Sequence, residues 1–225
     1  MWCVVPAAGI GSRMQSKVPK QYLKLANDKT ILDTTIQSLL ASDTISNVLV
    51  VLHPKDNCWK HSAFVDAKNV KVCVGGVERV DSVLAGLTHL KSHIEDDEWV
   101  MVHDAARPCV DANDVDGLYQ IIEGSEAIGG LLALPVHETV KASTEFQTVM
   151  KTVDRSELWL AQTPQIFPFA ALQTSMLEAK TDGVKITDES SAMEHAGFKP
   201  TLVVGSRKNI KITTPEDIEL ANLYR

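Results

Sequence analysis

The sequence of 225 residues lacks the patterns that mark several common classes of protein. No apolar run approaches the roughly 18 residues of a membrane-spanning helix, and Trp2–Ala8 is typical of a first strand, without the charged start of a secretory signal. The four cysteines are far apart, with no CxxC pair and no metal-finger spacing. The net charge of -7 disfavours non-specific nucleic-acid binding, which needs a basic surface. We therefore expect a cytoplasmic protein with reduced thiols and with neither nucleic-acid nor membrane partners.

Signatures of covalent catalysis are missing as well. The sequence contains no HExxH motif, no cluster of His and Cys, and no GxSxG elbow. A protein nucleophile therefore has no candidate. This absence is consistent with a reaction in which a substrate phosphate, with a second pKa around 6, attacks a nucleotide's α-phosphorus directly. The protein would then only position the reactants and neutralise charge.

Negative charge is absent from the start of the chain, where Asp28 is the first carboxylate. Four cations precede it, at Arg13, Lys17, Lys20 and Lys24. They follow an apolar segment and the Gly-x-Gly turn that begins at Gly9, an arrangement that presents backbone N–H groups and charge to a phosphate. A dinucleotide fingerprint is excluded because Met14 stands where the third glycine belongs, and no Gly-Lys-Ser/Thr triplet forms a Walker A loop. An ordinary turn with a solvated basic face is the alternative, but the acid-free run of cations favours a triphosphate ligand.

Apolar runs recur at the spacing of βαβ units. They are Trp2–Ala8, Asn47–His53, Val70–Val74, Trp99–His103, Ile128–Pro135, Thr201–Val204 and Ile210–Thr213. Helical patterns separate most of them, and Val80–Leu90 shows the clearest amphipathic stripe. Such a sequence predicts a single Rossmann-like α/β domain over residues 1–225, with a mostly parallel sheet and helices on both faces. Ligands bind beyond the carboxyl ends of such strands, so we expect the Gly9 loop and the residues after Val102 at that edge.

One segment, Val136–Val153, breaks this rhythm by alternating polar and apolar residues around the polar centre Ser143–Glu145. The pattern predicts a β-hairpin. Because a lone two-stranded hairpin is marginally stable in water, this arm, residues 136–156, should pack against its own domain or against a second subunit. We expect a second subunit, and hence a homodimer, because so long an excursion adds little to a sheet already covered by helices.

Polar groups follow two of the predicted strands. Asp104, in HDAARP, could hold Mg²⁺ together with substrate phosphate, or could cap the next turn and pair with Arg107. Gly76 and Ser82 follow the third strand and could approach a flat base, although this segment alone favours an ordinary strand-to-helix turn. Lys211, in an apolar strand pattern, is informative only if it points into a pocket.

Seven motifs occur in order from about residue 3 to residue 223. They are PAAGxGxRM with PKQY, GGxxRxxSVxxGL, HDAARP, PVxxTxK, TVDRxxLWxAQTPQ, ITDExSAxE and NIKITxPEDIxLA. Together they resemble the 2-C-methyl-D-erythritol 4-phosphate cytidylyltransferase family, which belongs to the non-mevalonate route to isoprenoid precursors. The resemblance implies a nucleotidyltransferase that converts CTP and methylerythritol phosphate into the cytidine-diphospho product and pyrophosphate, with Mg²⁺ as cofactor.

The resemblance also implies roles for individual residues. Arg13 and Lys20 match the family's transition-state stabilisers. Positions that bind CTP are matched by Ala7, Ala8, Gly9, Gly76, Ser82 and Ala105, and Asp104 matches a residue close to the metal and both substrates. The methylerythritol-phosphate side is matched by Arg107, Thr163, Thr187 and Lys211. Thr139 and Arg155 match residues that are donated across a dimer interface. One departure is Val77, which is apolar where some relatives carry an acid.

Two other functions are open at this point. A cytidylyltransferase for a pentitol phosphate such as ribitol 5-phosphate would share the CTP half, so only the residues of the acceptor side discriminate. A non-catalytic nucleotide-binding domain is the second alternative. The presence of Lys20, Arg13 and Asp104 disfavours it.

Overall fold

The computed structural model describes residues 1–9 and 18–225, and these residues form nine strands. The strands are β1 (Trp2–Ala7), β2 (Asn47–Leu52), β3 (Val70–Val74), β4 (Trp99–Val102), β5 (Gly130–Pro135), β6 (Val140–Ser143), β7 (Val149–Val153), β8 (Trp159–Pro168) and β9 (Thr201–Val204). Seven of them form one sheet in the order β3-β2-β1-β4-β8-β5-β9. The predicted mostly parallel sheet is therefore confirmed.

The central strands β1, β2 and β4 are apolar along nearly their whole length because both of their faces are buried. β1 pairs in parallel with β2 and β4, and β2 pairs in parallel with β3. β8 is the exception, since it runs antiparallel to both β4 and β5. The sequence did not predict β8, because its residues WLAQTPQIFP mix prolines and buried polar groups instead of following either strand pattern.

The predicted strand Ile210–Thr213 is wrong, because these residues form no strand. Their apolar character has another cause: Ile212 is fully buried in a small cluster with Leu25, Ile31 and Ala221. The backbone N–H of Ile212 donates to the carbonyl of Ala106 over 2.8 Å, which places this segment beside the turn that follows β4.

Helices cover both faces of the sheet, as predicted. They are α1 (Ile31–Leu39), α2 (Arg79–Leu90), α3 (Ala112–Glu123), α4 (Phe169–Thr181), α5 (Glu189–His195) and α6 (Pro215–Tyr224). One core cluster contains Ile36 of α1 and Leu118 of α3, and the opposite one contains Leu87 of α2 and Leu172 of α4. None of the helices in the described ranges is long and apolar enough to cross a membrane.

The predicted hairpin is present as a separate two-stranded sheet in which β6 and β7 pair antiparallel. Its turn lies at residues 144–148, where Gln147 has a positive φ of 59°. Three apolar side chains of the arm are largely exposed, namely Phe146, Val149 and Met150. The arm therefore carries apolar surface that this single chain does not cover.

Candidate active site

A cavity of about 240 Å³ opens where β4 ends, next to the middle of β8. Its lining residues are Arg79, Asp104, Arg107, Ala161, Gln162, Thr163, Gln165, Thr187, Asp188 and Lys211. Five of these were predicted from the sequence: Asp104, Arg107, Thr163, Thr187 and Lys211. The structure thus brings together five separate segments of the chain, which contain Arg79, Asp104, Thr163, Thr187 and Lys211.

Asp104 lies at the centre of the charges in this cavity. Its Oδ1 is 3.0 Å from Nε of Arg79, and its Oδ2 is 2.8 Å from Nζ of Lys211 and 3.6 Å from Nε of Arg107. Burial would raise the pKa of Asp104, but the three cations hold it far below its ordinary value. Asp104 is therefore ionised at neutral pH.

Arg79 connects Asp104 to a second buried carboxylate. Its two terminal nitrogens donate to the oxygens of Glu189 over 2.7 and 3.1 Å, and Glu189 is completely buried. Burial would lower the pKa of the Arg79 guanidinium, but Glu189 and Asp104 raise it well above its ordinary value. Arg79 belongs to the first turn of α2, and Glu189 is the first residue of α5.

Arg107 retains a donor that the described residues do not use. One terminal nitrogen donates to the carbonyl of Asn209 over 2.6 Å, whereas buried Nε has no hydrogen-bond partner within residues 1–9 and 18–225. Burial lowers the pKa of the Arg107 guanidinium. Together with Lys211, whose side chain is 41% exposed, Arg107 presents positive charge to an anion that enters the cavity.

His103 and Thr163 form a buried hydrogen-bond chain beneath Asp104. The Nε2 atom of His103 lies 3.1 Å from the carbonyl of Arg107, which only accepts, so Nε2 carries the proton and Nδ1 is an acceptor. The hydroxyl of Thr163 therefore donates to Nδ1 over 3.1 Å and accepts from the backbone N–H of Asp104 over 3.0 Å. The proton of Thr163 is already used, so this hydroxyl can offer a substrate only a lone pair.

The predicted nucleotide side lies around the end of β1. Ala7 and Ala8 are buried there, and Gly9 is exposed. The N–H of Gly76 donates to the hydroxyl of Ser82 over 3.3 Å, and this hydroxyl lies 3.2 Å from the carbonyl of Glu78. The loop before α2 is thus held by its own hydrogen bonds, as in the ordinary-turn interpretation. A contact of Gly76 or Ser82 with a base stays a prediction.

Two further predicted residues, Ala105 and Lys20, lie near the same edge of the sheet. Ala105 is buried, and its carbonyl accepts from the hydroxyl of Thr35 over 3.0 Å. Lys20 opens a short 3-10 turn, and its Nζ donates to the carbonyl of Ile212 over 2.6 Å. The next residue, Gln21, donates to the carbonyl of Ala7 over 2.6 Å. Lys20 is therefore held between the end of β1 and the segment that carries Lys211.

Two of the residues predicted for the acceptor side do not line the cavity in this chain. Thr139 and Arg155 are exposed at the base of the hairpin arm, where Arg155 donates to the carbonyl of His137, and neither lines the cavity. Arg13 lies outside the described residues, so its role rests on its place in the sequence.

The sequence missed Arg79, Glu189 and His103 as site residues. A signal for Arg79 was present, since it follows paired glycines at a predicted helix start, but an arginine there is commonly a solvated helix residue. Glu189, in the sequence TDESS, is an acid of the kind that commonly stabilises a helix N-terminus. Their pairing joins residues 110 positions apart, and no local pattern reveals such a contact.

The comparisons with known proteins agree along the whole chain. A family model described as 2-C-methyl-D-erythritol 4-phosphate cytidylyltransferase (IspD) matches residues 1–225. The chain is similar to proteins of that name from Photorhabdus laumondii, at 46% identity over 98% of this chain and 93% of that protein, and from Hahella chejuensis, at 44% identity over 100% and 92%. It is also similar to the crystal structure of the Francisella tularensis protein of the same name, with a TM-score of 0.87 and 38% identity over 100% of this chain and 99% of that one.

Proposed function

The chain belongs to the 2-C-methyl-D-erythritol 4-phosphate cytidylyltransferase family, and from this premise we propose how its own residues carry out the reaction. It is a nucleotidyltransferase that transfers a cytidylyl group from CTP to 2-C-methyl-D-erythritol 4-phosphate and releases pyrophosphate, a step in isoprenoid precursor biosynthesis. In our proposal the acceptor's phosphate attacks the α-phosphorus of CTP in line, so that no protein nucleophile is needed.

The observation that carries this proposal is the convergence of Lys211, Arg107 and Thr163 around Asp104 in one cavity. The two cations present positive charge to the acceptor's phosphate, and Lys211 is the more accessible of the two, with 41% of its side chain exposed against 11% for Arg107. The Thr163 oxygen can accept from a hydroxyl of the polyol but has no proton to give to a phosphate. The cavity therefore suits a molecule that carries both a phosphate and hydroxyl groups.

We assign the stabilisation of the transition state to Lys20 and Arg13. Negative charge grows on the five-coordinate phosphorus during in-line attack, and a preorganised cation lowers the barrier because it needs no rearrangement at that moment. Lys20 is preorganised by its hydrogen bond to the carbonyl of Ile212, beside Lys211. The turn at Gly9 would bind the triphosphate through backbone N–H groups.

A magnesium ion would fit this edge of the sheet if substrate phosphate oxygens completed its coordination shell. The described residues contain no group of three or more His, Cys, Asp or Glu that could hold a metal. Mg²⁺ commonly takes one or two carboxylates and fills its shell with phosphate and water. Asp104 would hold it here, although both oxygens already face cations. The ion would supply further neutralisation of the triphosphate.

Substitution of the two cations tests the assignment. We expect Lys20→Ala and Arg13→Ala to bind CTP in equilibrium dialysis but to lose about a hundredfold or more in kcat, the usual cost of one preorganised donor. Lys24→Ala is the matched control, because Lys24 belongs to the same cationic stretch but pairs with Asp28 at the exposed surface over 3.5 Å. Turnover close to wild type in both active-site variants would refute the mechanism.

The acceptor is tested by pyrophosphate release with each of the four nucleoside triphosphates and two sugar phosphates. We expect release with CTP and methylerythritol phosphate, and little with ribitol 5-phosphate. If ribitol 5-phosphate were turned over faster, it would be assigned as the acceptor in place of methylerythritol phosphate. If no pair of substrates released pyrophosphate, the chain would not be a cytidylyltransferase for either acceptor.

We further propose that the hairpin arm of residues 136–156 joins two copies of the chain and that Thr139 and Arg155 serve the partner's cavity. Support comes from the exposed side chains of Phe146 and Met150, which are 81% and 66% accessible. Exposed apolar surface of this kind marks protein interfaces, and an isolated hairpin needs packing to be stable.

Analytical ultracentrifugation over a range of concentrations tests the dimer. We expect wild type to sediment as a dimer and the double variant Phe146→Glu/Met150→Glu as a monomer of lower activity. Ile121→Glu is the control, because Ile121 is an exposed apolar residue of α3 away from the arm. A monomeric wild type, or an arm variant that remains a dimer, would contradict the proposal.

A further inference from the structure

We infer that Arg79 and Glu189 form a positioning pair that orients the carboxylate of Asp104 for the acceptor substrate. The inference rests on the proposed function of the cavity, because it assigns to Asp104 a role toward the acceptor. Neither member of the pair reacts in this scheme. Both act through Asp104.

The guanidinium of Arg79 is held between two carboxylates, those of Glu189 and Asp104. Its terminal nitrogens make a bidentate contact with Glu189 at 2.7 and 3.1 Å, and this contact leaves Nε to donate to Oδ1 of Asp104 at 3.0 Å. A bidentate arginine–carboxylate contact fixes the plane of the guanidinium as well as its distance. Glu189 therefore determines the direction from which Arg79 approaches Asp104.

Glu189 is itself held firmly. It begins α5, and the N–H of the next residue, Ser190, donates to the side-chain oxygen of Gln165 over 2.8 Å. The amide nitrogen of Gln165 donates to Asp188 over 2.8 Å, so both sides of Glu189 are tied to β8. Since Glu189 is 0% exposed, its charge has no access to water and depends on Arg79 for compensation.

Asp104 is consequently held at two points. Thr163 accepts from its backbone N–H over 3.0 Å, and Arg79 holds Oδ1. Oδ2 is then turned toward Lys211 at 2.8 Å and Arg107 at 3.6 Å, which are the cations of the acceptor side. Without Arg79, nothing among these contacts would prevent the carboxylate from rotating between the two remaining cations.

Kinetics of amide variants separates positioning from folding. Arg79→Gln alone leaves a buried Glu189 without its cation, so we expect a strong loss of thermal stability. In Arg79→Gln/Glu189→Gln two neutral amides can pair, so the protein should fold, yet Oδ1 of Asp104 has lost its cation. We expect kcat/KM for methylerythritol phosphate to fall about ten- to a hundredfold, the value of one charge-assisted hydrogen bond. KM for CTP should rise less than KM for methylerythritol phosphate, because the groups around the end of β1 are unchanged in this variant.

Lys180→Gln is the matched control. Lys180 forms an ion pair of 2.6 Å with Asp81, also in the first turn of α2, but outside the cavity. We expect this variant to retain wild-type kinetics for both substrates. A folded Arg79→Gln/Glu189→Gln protein with wild-type kcat/KM for the acceptor, or an equal loss in Lys180→Gln, would overturn the inference.

A crystal structure of the double variant gives a readout that does not depend on turnover. Rotation of the Asp104 carboxylate away from its present contacts with Lys211 and Arg107 supports the positioning role, and an unchanged carboxylate refutes it. If wild type failed to release pyrophosphate from CTP and methylerythritol phosphate, the proposed function would fail, and this structure would still decide the role of the pair.

Discussion

His103 should make the stability of the protein depend on pH in a window where few other groups act. The imidazole is completely buried, with Nε2–H donated to the carbonyl of Arg107 and Nδ1 accepting from Thr163. Burial lowers its pKa from 6.5 to about 4, because the charged form would lose its hydration. The unfolded chain exposes the same side chain to water, where it binds a proton near pH 6.5.

The sign of the effect follows from the difference in proton binding. Between about pH 6.5 and pH 4 the unfolded chain carries the proton on His103 and the folded chain does not, so the free energy of unfolding falls as the pH falls. With these two pKa values, lowering the pH from about 7 to about 5 removes about 2 kcal/mol. Asp104 contributes little in this window, because a carboxylate with a lowered pKa loses its stabilising effect only below its unfolded pKa of about 4.

Urea unfolding at several pH values measures this share directly. We expect wild type to lose about 2 kcal/mol more than His103→Gln between pH 7 and pH 5, because glutamine does not titrate. Phe167→Leu is the control: it removes buried packing but no titrating group, and should keep the pH slope of wild type. If wild type and His103→Gln lost stability in parallel, the imidazole would titrate alike in both states, and the reasoning from burial would be refuted.

Two smaller predictions concern the backbone, and urea unfolding at neutral pH measures both. Gly129→Ala should destabilise the protein by more than about 1 kcal/mol, because Gly129 has a φ of 145° and an added Cβ would clash with Phe167. Gly117→Ala in α3 should instead stabilise the protein by about 0.5–1 kcal/mol, because the space beside Gly117 is open. Equal effects of the two substitutions on the free energy of unfolding would contradict this prediction. Thr214→Ala should cost about 1 kcal/mol, because Thr214 and Asp217 form the capping box of α6, and an unchanged urea midpoint would show that the cap contributes nothing.

The sequence predicted the strands and helices whose buried faces produce a regular spacing of apolar residues. The strand Val70–Val74 and the helix Val80–Leu90 were placed to within a residue, because their apolar spacing reflects the faces that they bury. The sequence failed at β8 and at Ile210–Thr213 for related reasons. β8 buries the polar side chains Gln162 and Gln165, which bind ends of other segments, whereas Ile212 is apolar because it fills a small cluster outside the sheet.

Site residues could be predicted only where the neighbouring residues in the same segment indicated their function. The acid-free cations near Lys20 and the carboxylate after β4 could be identified from their neighbours in sequence. The pairing of Arg79 with Glu189 could not, since each residue alone is an ordinary helix-start residue. Distances between segments are determined by the sheet order, and that order depends on β8, the strand that no local pattern revealed.

The position of β8 also explains why the buried carboxylate of Asp104 can contact three cations. β8 lies between β4 and β5 and runs against both, so its residue Thr163 reaches the turn after β4 and accepts from the N–H of Asp104. The same strand holds the start of α5 through Gln165, and α5 carries Glu189 to Arg79. A parallel strand in this place would point its carboxyl end the other way along the sheet and would give Thr163 different neighbours. The antiparallel strand, more than any single motif, therefore lets the charges of the acceptor side meet at Asp104.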